Sequence, residues 1–453
     1  MYDDTLKKRG QGRGVRRSSN LKLTVILCAF AMILSAVAII PAGESDADAI
    51  TVSTWDELKN AVKSGDNVYI KLIGNIDVDP DEDDIEIEGS EGYYPPLTIH
   101  IDLNGFEIDR NFWDKDDGER LFDITYAAVY ISNGRLAGGH AGDGGCIRLD
   151  KAYLELNNVN VAKNYAEGDG GAIYAKESEI KVNGGQFAYN TCESDGGAIH
   201  LDVSYLTMVG ATLFANYAVD DGGALYSNEG YYDIRDCDFS ENYCDDDGGA
   251  IFVEDMMDDY SSTTIPSIIN TKFTENIAEG GNGGAICVNG SSILDLVNVE
   301  FTGNLCDDNG GGLAVIHDDN KVRIQGKIVF NNNHDDNLAN VYLDEDQVLE
   351  CGELDEGSSI GIVIDDGDGK FTKGFSTHNP NLDPAKIFHS DDSKYYVALD
   401  PDSGEAKLYK EGTGGDMSDN SNVIWIVVGV VIAIIALAAV AFYVLKVRKP
   451  KSV

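Results

Sequence analysis

The chain has 453 residues, with 78 acidic side chains against 34 basic ones and a formal net charge of −44. Such a charge repels phosphate backbones and sets nucleic-acid binding aside; cations or a salty exterior are its natural counterparts. Fifty glycines, nine prolines and no Gly-X-Y period exclude collagen, and the length admits two or three ordinary domains or one long repeat domain.

In chain order, residues 1–49 read as an export signal. A basic run, KKRGQGRGVRR, precedes the apolar stretch Leu23 to Ile40 and a small-residue site at Ala47-Asp48-Ala49, with cleavage expected after Ala49. Residues 50–129 read as an N-terminal cap and the first coils of a solenoid. Thr54 and Glu57 make a capping-box pattern before a short amphipathic helix, and Val68 to Ile73 starts the first strand.

Residues 130–350 carry the strongest signal. Glycine pairs begin at Gly144, Gly170, Gly196, Gly222 and Gly248, each 26 residues after the last, then at Gly283 and Gly310. A fixed period in this range marks a solenoid, propeller or array, and 26 residues are too few for a four-stranded propeller blade. Within Gly170 to Asp195 the segments AIYA, EIKV and QFAYN alternate apolar and polar, as half-buried strands do.

Overlaid, the repeats form columns. Ile147, Ile173, Ile199, Leu225, Ile251, Ile286 and Leu313 are all aliphatic and point inward. So does the second-strand column Leu154, Ile180, Leu206 and Tyr232, and the third-strand column Val161, Phe187, Leu213, Phe239, Phe273, Phe301 and Val329. The mixed column Arg148, Tyr174, His200, Tyr226, Phe252, Cys287 and Ala314 points outward. Each repeat is then one coil of about three strands, and the fold class is all-β, a parallel β-helix.

Two polar columns accompany the apolar ones. Asn164, Asn190, Asn216, Asn242, Asn276, Asn304 and Asn332 follow the third strand and read as a structural ladder. Asp143, Asp169, Asp195, Asp221 and Asp247 precede the glycine pairs and pass into Asn282 and Asn309. Stacked carboxylates repel, so something must offset them. One reading is an Asx-type turn in which each carboxylate accepts turn N–H groups. The other is a Ca²⁺ column, aided by Glu167, Asp220, Asp245 and Asp246. The cysteines Cys192, Cys244 and Cys306 share a column with Ala166, Ala218 and Ala278 and read as small buried apolar residues. Seven scattered histidines show no metal-ligand spacing. The insertion Glu254 to Ser267 reads as a partner or cation contact.

Past the repeats, residues 351–410 read as a small β-rich cap or stalk and 411–422 as a polar linker. Val423 to Leu445 holds no charge and at 1.5 Å per residue spans roughly 35 Å, enough for a bilayer. The basic tail 446–453 then stays inside and the acidic bulk outside, a single-pass type I arrangement.

GGAI paired with FAYN, FSEN, FTEN and FTGN resembles the GGAI/FxxN repeats of polymorphic outer-membrane proteins and of adhesin-like β-helix proteins of archaea and bacteria. The resemblance covers roughly residues 130–345. It implies a surface-exposed, right-handed, pectate-lyase-like β-helix with an adhesive role, whose partners are glycans or surface proteins of host or neighbouring cells. One departure is that the polymorphic proteins end in an outer-membrane barrel, whereas this chain ends in a single helix, as suits a single-membrane envelope. Parallel β-helices also include polysaccharide lyases and hydrolases, so a carbohydrate-active enzyme is the alternative to a non-catalytic surface protein. Acidic and basic residues converging in one groove would favour the enzyme; an outer face with Tyr174, Tyr226, Tyr231 and Tyr232 exposed would favour binding.

Overall fold

Columns of aliphatic residues 26 apart require each coil to lie directly on the last. The computed structural model of the chain describes residues 49–412 apart from 80, 93–95, 112–117, 256–264, 318–319, 335–338 and 366. In it Ile147 stands opposite Ile173, and the parallel pairing continues through Ile199, Leu225, Ile251, Ile286, Leu313 and Val341. Every member of that column is fully buried. The molecule is a parallel β-solenoid of the right-handed type.

One coil shows how the sheets arise. Ile173–Lys176 joins a 12-stranded sheet, Glu179–Asn183 and Gln186–Ala188 join a 21-stranded one, and Thr191–Cys192 joins a 7-stranded one. Strands this short end because the chain must turn three corners per coil. Two of those corners use left-handed backbone at non-glycine residues: Lys151, Glu177, Val203 and Glu229 at one, and Lys163, Tyr189, Ala215, Glu241 and Glu275 at the other. Each costs about 1–2 kcal/mol, so the neighbouring contacts must over-determine the bend.

The interior is a set of stacked ladders. Phe239, Phe273, Phe301 and Phe330 lie ring on ring, with centroids 5.0, 5.0 and 4.3 Å apart. The last member corrects the sequence reading: Phe330, not Val329, fills the third-strand column, and Val329 pairs beside Glu300 on the other face. The asparagines at this step are 29 residues apart rather than 26. A shift of one residue turns a strand over, and the larger apolar side chain takes the inside. Tyr232 lies fully buried in the second-strand column, so it is not part of the outer face.

Both ends of the stack are closed. Helix α1 (Trp55–Val62) buries Trp55, Leu58, Ala61 and Val62 against the first coil. Thr54 Oγ1 accepts the Glu57 N–H at 3.2 Å, and the Glu57 carboxylate reaches back to the Ser53 N–H at 2.8 Å. The fully buried Arg110 lies over the Trp55 ring, 5.6 Å from its centroid. At the far end the stacking continues beyond residue 350, where the motif fades. Ile360–Ile364 and Phe388–Ser390 extend the 12-stranded sheet. A three-stranded antiparallel sheet of Gly369–Lys370, Tyr395–Leu399 and Ala406–Lys410 then finishes the described chain.

Among the described residues no helix is long and apolar enough to cross a membrane. The segment Val423 to Leu445, the export signal through residue 48 and most of the 254–267 insertion lie outside the described residues.

Candidate functional site

The two polar columns flank the short strands of the 7-stranded sheet. On one side, each ladder asparagine donates Nδ2–H to the Oδ1 of the next, over 2.7–3.0 Å, from Asn164 through Asn190, Asn216, Asn242, Asn276 and Asn304 to Asn333. The same Oδ1 accepts the backbone N–H of the preceding asparagine, and Nδ2 also donates to a third-strand carbonyl; for Asn216 this is Phe187 O at 3.0 Å. Every polar atom of a buried amide is thereby matched. The seventh rung is Asn333 rather than Asn332. Asn332 takes the left-handed corner before it, equivalent to Glu275, and the extra length of that coil moves the buried amide one residue on.

On the other side, the aspartates bond between coils, not within a turn. Oδ1 of Asp143, Asp169, Asp195 and Asp221 accepts the backbone N–H of the next aspartate, at 3.2, 3.3, 3.0 and 2.8 Å, and Asp247 accepts that of Asn282. Asn282 Nδ2 also donates to Asp247 Oδ1 at 3.0 Å, and Asn309 Nδ2 to Asn282 Oδ1 at 3.0 Å. Carboxylates only accept, so the column leaves charge on each coil. Among the described residues no lysine or arginine is ion-paired with these five; Arg120 reaches only the carbonyl of Asp143. Burial, and after it the neighbouring acids, pushes Asp195 up to about 7 and Asp221 up to about 8, against the pull of the backbone N–H each accepts. Asp247 is raised by burial too. A Ca²⁺ ion here would draw the rest of its six to eight oxygens from acids such as Asp220 and Asp246, or from water.

The glycine pair that follows has two separate jobs. Gly196 adopts φ +73°, and a Cβ on it would sit 2.4 Å from Ile199 O; a Cβ on Gly197 would sit 2.2 Å from Gly223 O of the next coil. The first glycine lets the turn fold onto its own strand, and the second lets coils stack.

That fold-over changes the mixed column. It points away from the solenoid interior as the alternation requires, yet His200, Tyr226, Phe252, Cys287 and Ala314 are buried. Rings stack along it, with centroids 5.2 Å apart for Tyr174 and His200, 4.7 Å for His200 and Tyr226, and 5.4 Å for Tyr226 and Phe252. Tyr226 donates its hydroxyl to Glu254 at 2.6 Å. His200 thus faces the aspartate column. One ligand atom each from Asp169, Asp195 and His200 lies within 4.8 Å of the others. Reading the histidines by linear spacing hides this meeting. His200 is 31 residues from Asp169, one period plus five, and only the 26-residue register brings the two together.

The remaining candidates are structural. Cys192, Cys244 and Cys306 alternate with Ala166, Ala218 and Ala278 in one buried column, and all seven described cysteines are buried. Burial pushes the Cys192 thiol up to about 12, so thiolate is scarce. Half-buried aromatics line the outside: Tyr69, His100 and Tyr130 stack at 4.3 and 4.6 Å, and Tyr205 with Tyr231 at 5.6 Å and Tyr217 with Tyr243 at 5.4 Å make tilted contacts. Acidic and basic groups converge in a concavity of about 690 Å³ beside α1 lined by Lys59, Asp84, Glu119, Arg120 and Asp123, and in one of about 500 Å³ lined by Asp346, Asp368, Lys370, Lys373 and Glu405. Arg120 Nη1 lies 2.8 Å from Asp123 Oδ2 and 3.6 Å from Asp84 Oδ2. Burial raises Asp84 to about 6 while Arg120 draws it back.

With this geometry in view, comparison with known proteins gives one positive finding. The sequence profile of the Chlamydia polymorphic membrane protein repeat matches residues 158–176 and 236–254. The two stretches are three coils apart and structurally equivalent: each runs from the third strand through the ladder asparagine, the aspartate and the glycine pair to the next inward strand. Two coils of this solenoid are therefore similar to that repeat, in agreement with the resemblance carried by GGAI and FxxN. No curated protein and no solved structure matches the chain.

Proposed function

We propose that this chain is a cell-surface, membrane-anchored β-solenoid that acts in adhesion or envelope structure without catalysis. The observation that carries this reading is the match of two equivalent coils to the Chlamydia polymorphic membrane protein repeat within a continuous, doubly capped stack. The apolar segment 423–445 and the export signal of residues 1–49 support a single-pass type I arrangement with the acidic bulk outside. The outer aromatic stacks suit glycans or surface proteins of host or neighbouring cells, since ring faces pack against sugar rings and side chains alike.

A carbohydrate-active enzyme is the second reading, and the concavity beside α1 is what favours it, with the raised Asp84 and the Arg120–Asp123 pair in one groove. One assay separates the two. Purified protein is applied to a glycan array and to whole cells, with and without Ca²⁺, while released sugar is measured in the same wells. Saturable binding without product is the expected outcome; turnover of a polysaccharide would replace adhesion with catalysis.

A further inference from the structure

The aspartate column meets the stacked ring column at one coil where the ring is an imidazole. Its neighbours in the column are Tyr174, Tyr226 and Phe252, none of which ligates a metal through a ring nitrogen. We propose that Asp169, Asp195 and His200 form a binding site for a divalent transition metal of the Zn²⁺ type, one per chain.

Three observations carry this. First, the donors converge: one ligand atom from each residue lies within 4.8 Å of the others, and His200 Nδ1 is 3.8 Å from Asp169 Oδ1. At Zn–N and Zn–O distances of about 2.0–2.2 Å, tetrahedral donors sit roughly 3.3–3.5 Å apart, so the donors need to close by about 0.5–1.5 Å. Second, His200 is only 6% exposed, yet its Nδ1 has no hydrogen-bond partner. A buried ring nitrogen that faces the Asp169 carboxylate without hydrogen-bonding it keeps its valence for a ligand, while the Asp195 backbone interacts with the same ring. Third, Oδ1 of each aspartate accepts a single backbone N–H of the next coil, which fixes the carboxylate and leaves it further lone pairs for a ligand.

The electrostatics agree with this geometry. Burial lowers His200, with Asp169 and Asp202 pulling the other way, and a metal takes an imidazole in its neutral form. The column has acids in excess and no lysine or arginine paired with it among the described residues, so a cation here would take the place of the protons or the unpaired charge that the column otherwise carries. The donor set selects the metal. Ca²⁺ takes six to eight oxygens and no imidazole, whereas an imidazole with two carboxylates suits Zn²⁺ and its neighbours. Asp169 is 29% exposed at its side chain and provides the way in.

The test is Zn²⁺ titration of untagged full-length protein, stripped with chelator, by calorimetry near neutral pH, with Co²⁺ substitution read by visible absorption. Two variants are built to fold. His200→Tyr repeats what the column holds one coil on either side, and Asp169→Asn repeats what the aspartate column holds at Asn282 and Asn309. One Zn²⁺ per chain is expected for the wild type. His200→Tyr is expected to weaken it more than about 100-fold, since even outer-shell changes cost 10–100-fold, and to abolish the imidazole-dependent Co²⁺ bands. Asp169→Asn is expected to weaken binding with thermal melting retained, and decides the matter if His200→Tyr does not fold. Absence of Zn²⁺ binding in the wild type, unchanged affinity in a folded variant, or displacement of Zn²⁺ by equimolar Ca²⁺ would each overturn the proposal.

Discussion

The asparagine and aspartate ladders climb the same coils at the same spacing, on either side of the 7-stranded sheet, and end in opposite electrical states. An amide donates and accepts, so each asparagine closes its bonds on the next and the ladder is complete in itself. A carboxylate only accepts, so each aspartate borrows a backbone N–H from the next coil and is left with a carboxyl that nothing basic pairs, charged only above its raised pKa where burial lifts it. The period alone does not decide what a ladder does. The number of protons each rung carries does.

The largest expected effect comes from breaking the closed ladder. Asn216→Ala orphans the buried Asn190 N–H and the Phe187 carbonyl, and at about 1–3 kcal/mol for each buried unsatisfied group it should cost roughly 2–5 kcal/mol. A drop in the urea midpoint checks this, and a loss under 1 kcal/mol would mean that water or a repacked neighbour fills the gap. Next comes the coil spacing beside the open ladder. Gly197→Ala should cost about 3 kcal/mol through the clash with Gly223 O. Gly184→Ala, with φ +68° but nothing within 4 Å of its Cβ, should cost only about 1 kcal/mol.

The open ladder should also give the fold an inverted pH response. Asp195 and Asp221 hold their protons to about 7 and about 8 in the fold, whereas the unfolded chain releases them near 4. The native state then binds more protons across that window, so their contribution is complete below about pH 4 and is lost as pH rises through 7 to 8. The groups facing them are Asp169, Asp220, Glu254 and His200 for Asp195, and Asp247, Asp195 and Asp246 for Asp221. Melting in chelator should fall from pH 5 to pH 9. Asp221→Asn should flatten the fall and add of the order of 1 kcal/mol at high pH, because the amide can donate to Asp195 as Asn282 does to Asp247. A slope that survives the substitution would place the titrating groups elsewhere. The smallest effect is expected in the cysteine column. Cys244→Ala should cost under about 1 kcal/mol between Ala218 and Ala278, and the seven buried thiols should resist iodoacetamide until the chain unfolds.

Much of this was legible in the sequence because a solenoid turns period into contact. The inward columns from Ile147 to Leu313 and the asparagines from Asn164 to Asn304 could be named from spacing alone. The reading slipped at Asn332 and Val329, where a longer coil moves each position by one and the glycine pairs no longer mark the corner. It missed the burial of His200 and Tyr226, because strand alternation tells inside from outside but not whether a turn folds back over the outer face. Of its two readings of the aspartates, the Asx-type turn kept their bonds local, because sequence distance favours local bonds, whereas the partners lie one coil away. The convergence of His200 with Asp169 was hidden for the same reason.

The axial run of the hydrogen bonds has a mechanical consequence. Each coil is tied mainly to the coils above and below it, so tension along the axis loads those ties in series and peels them a coil at a time rather than shearing a sheet at once. A peeled coil of 26 residues lengthens from the roughly 4.8 Å of strand spacing to about 90 Å of extended chain. A tether built this way yields by steps under load, dissipating work at each ladder rung, and it winds back from whichever capped end stays intact.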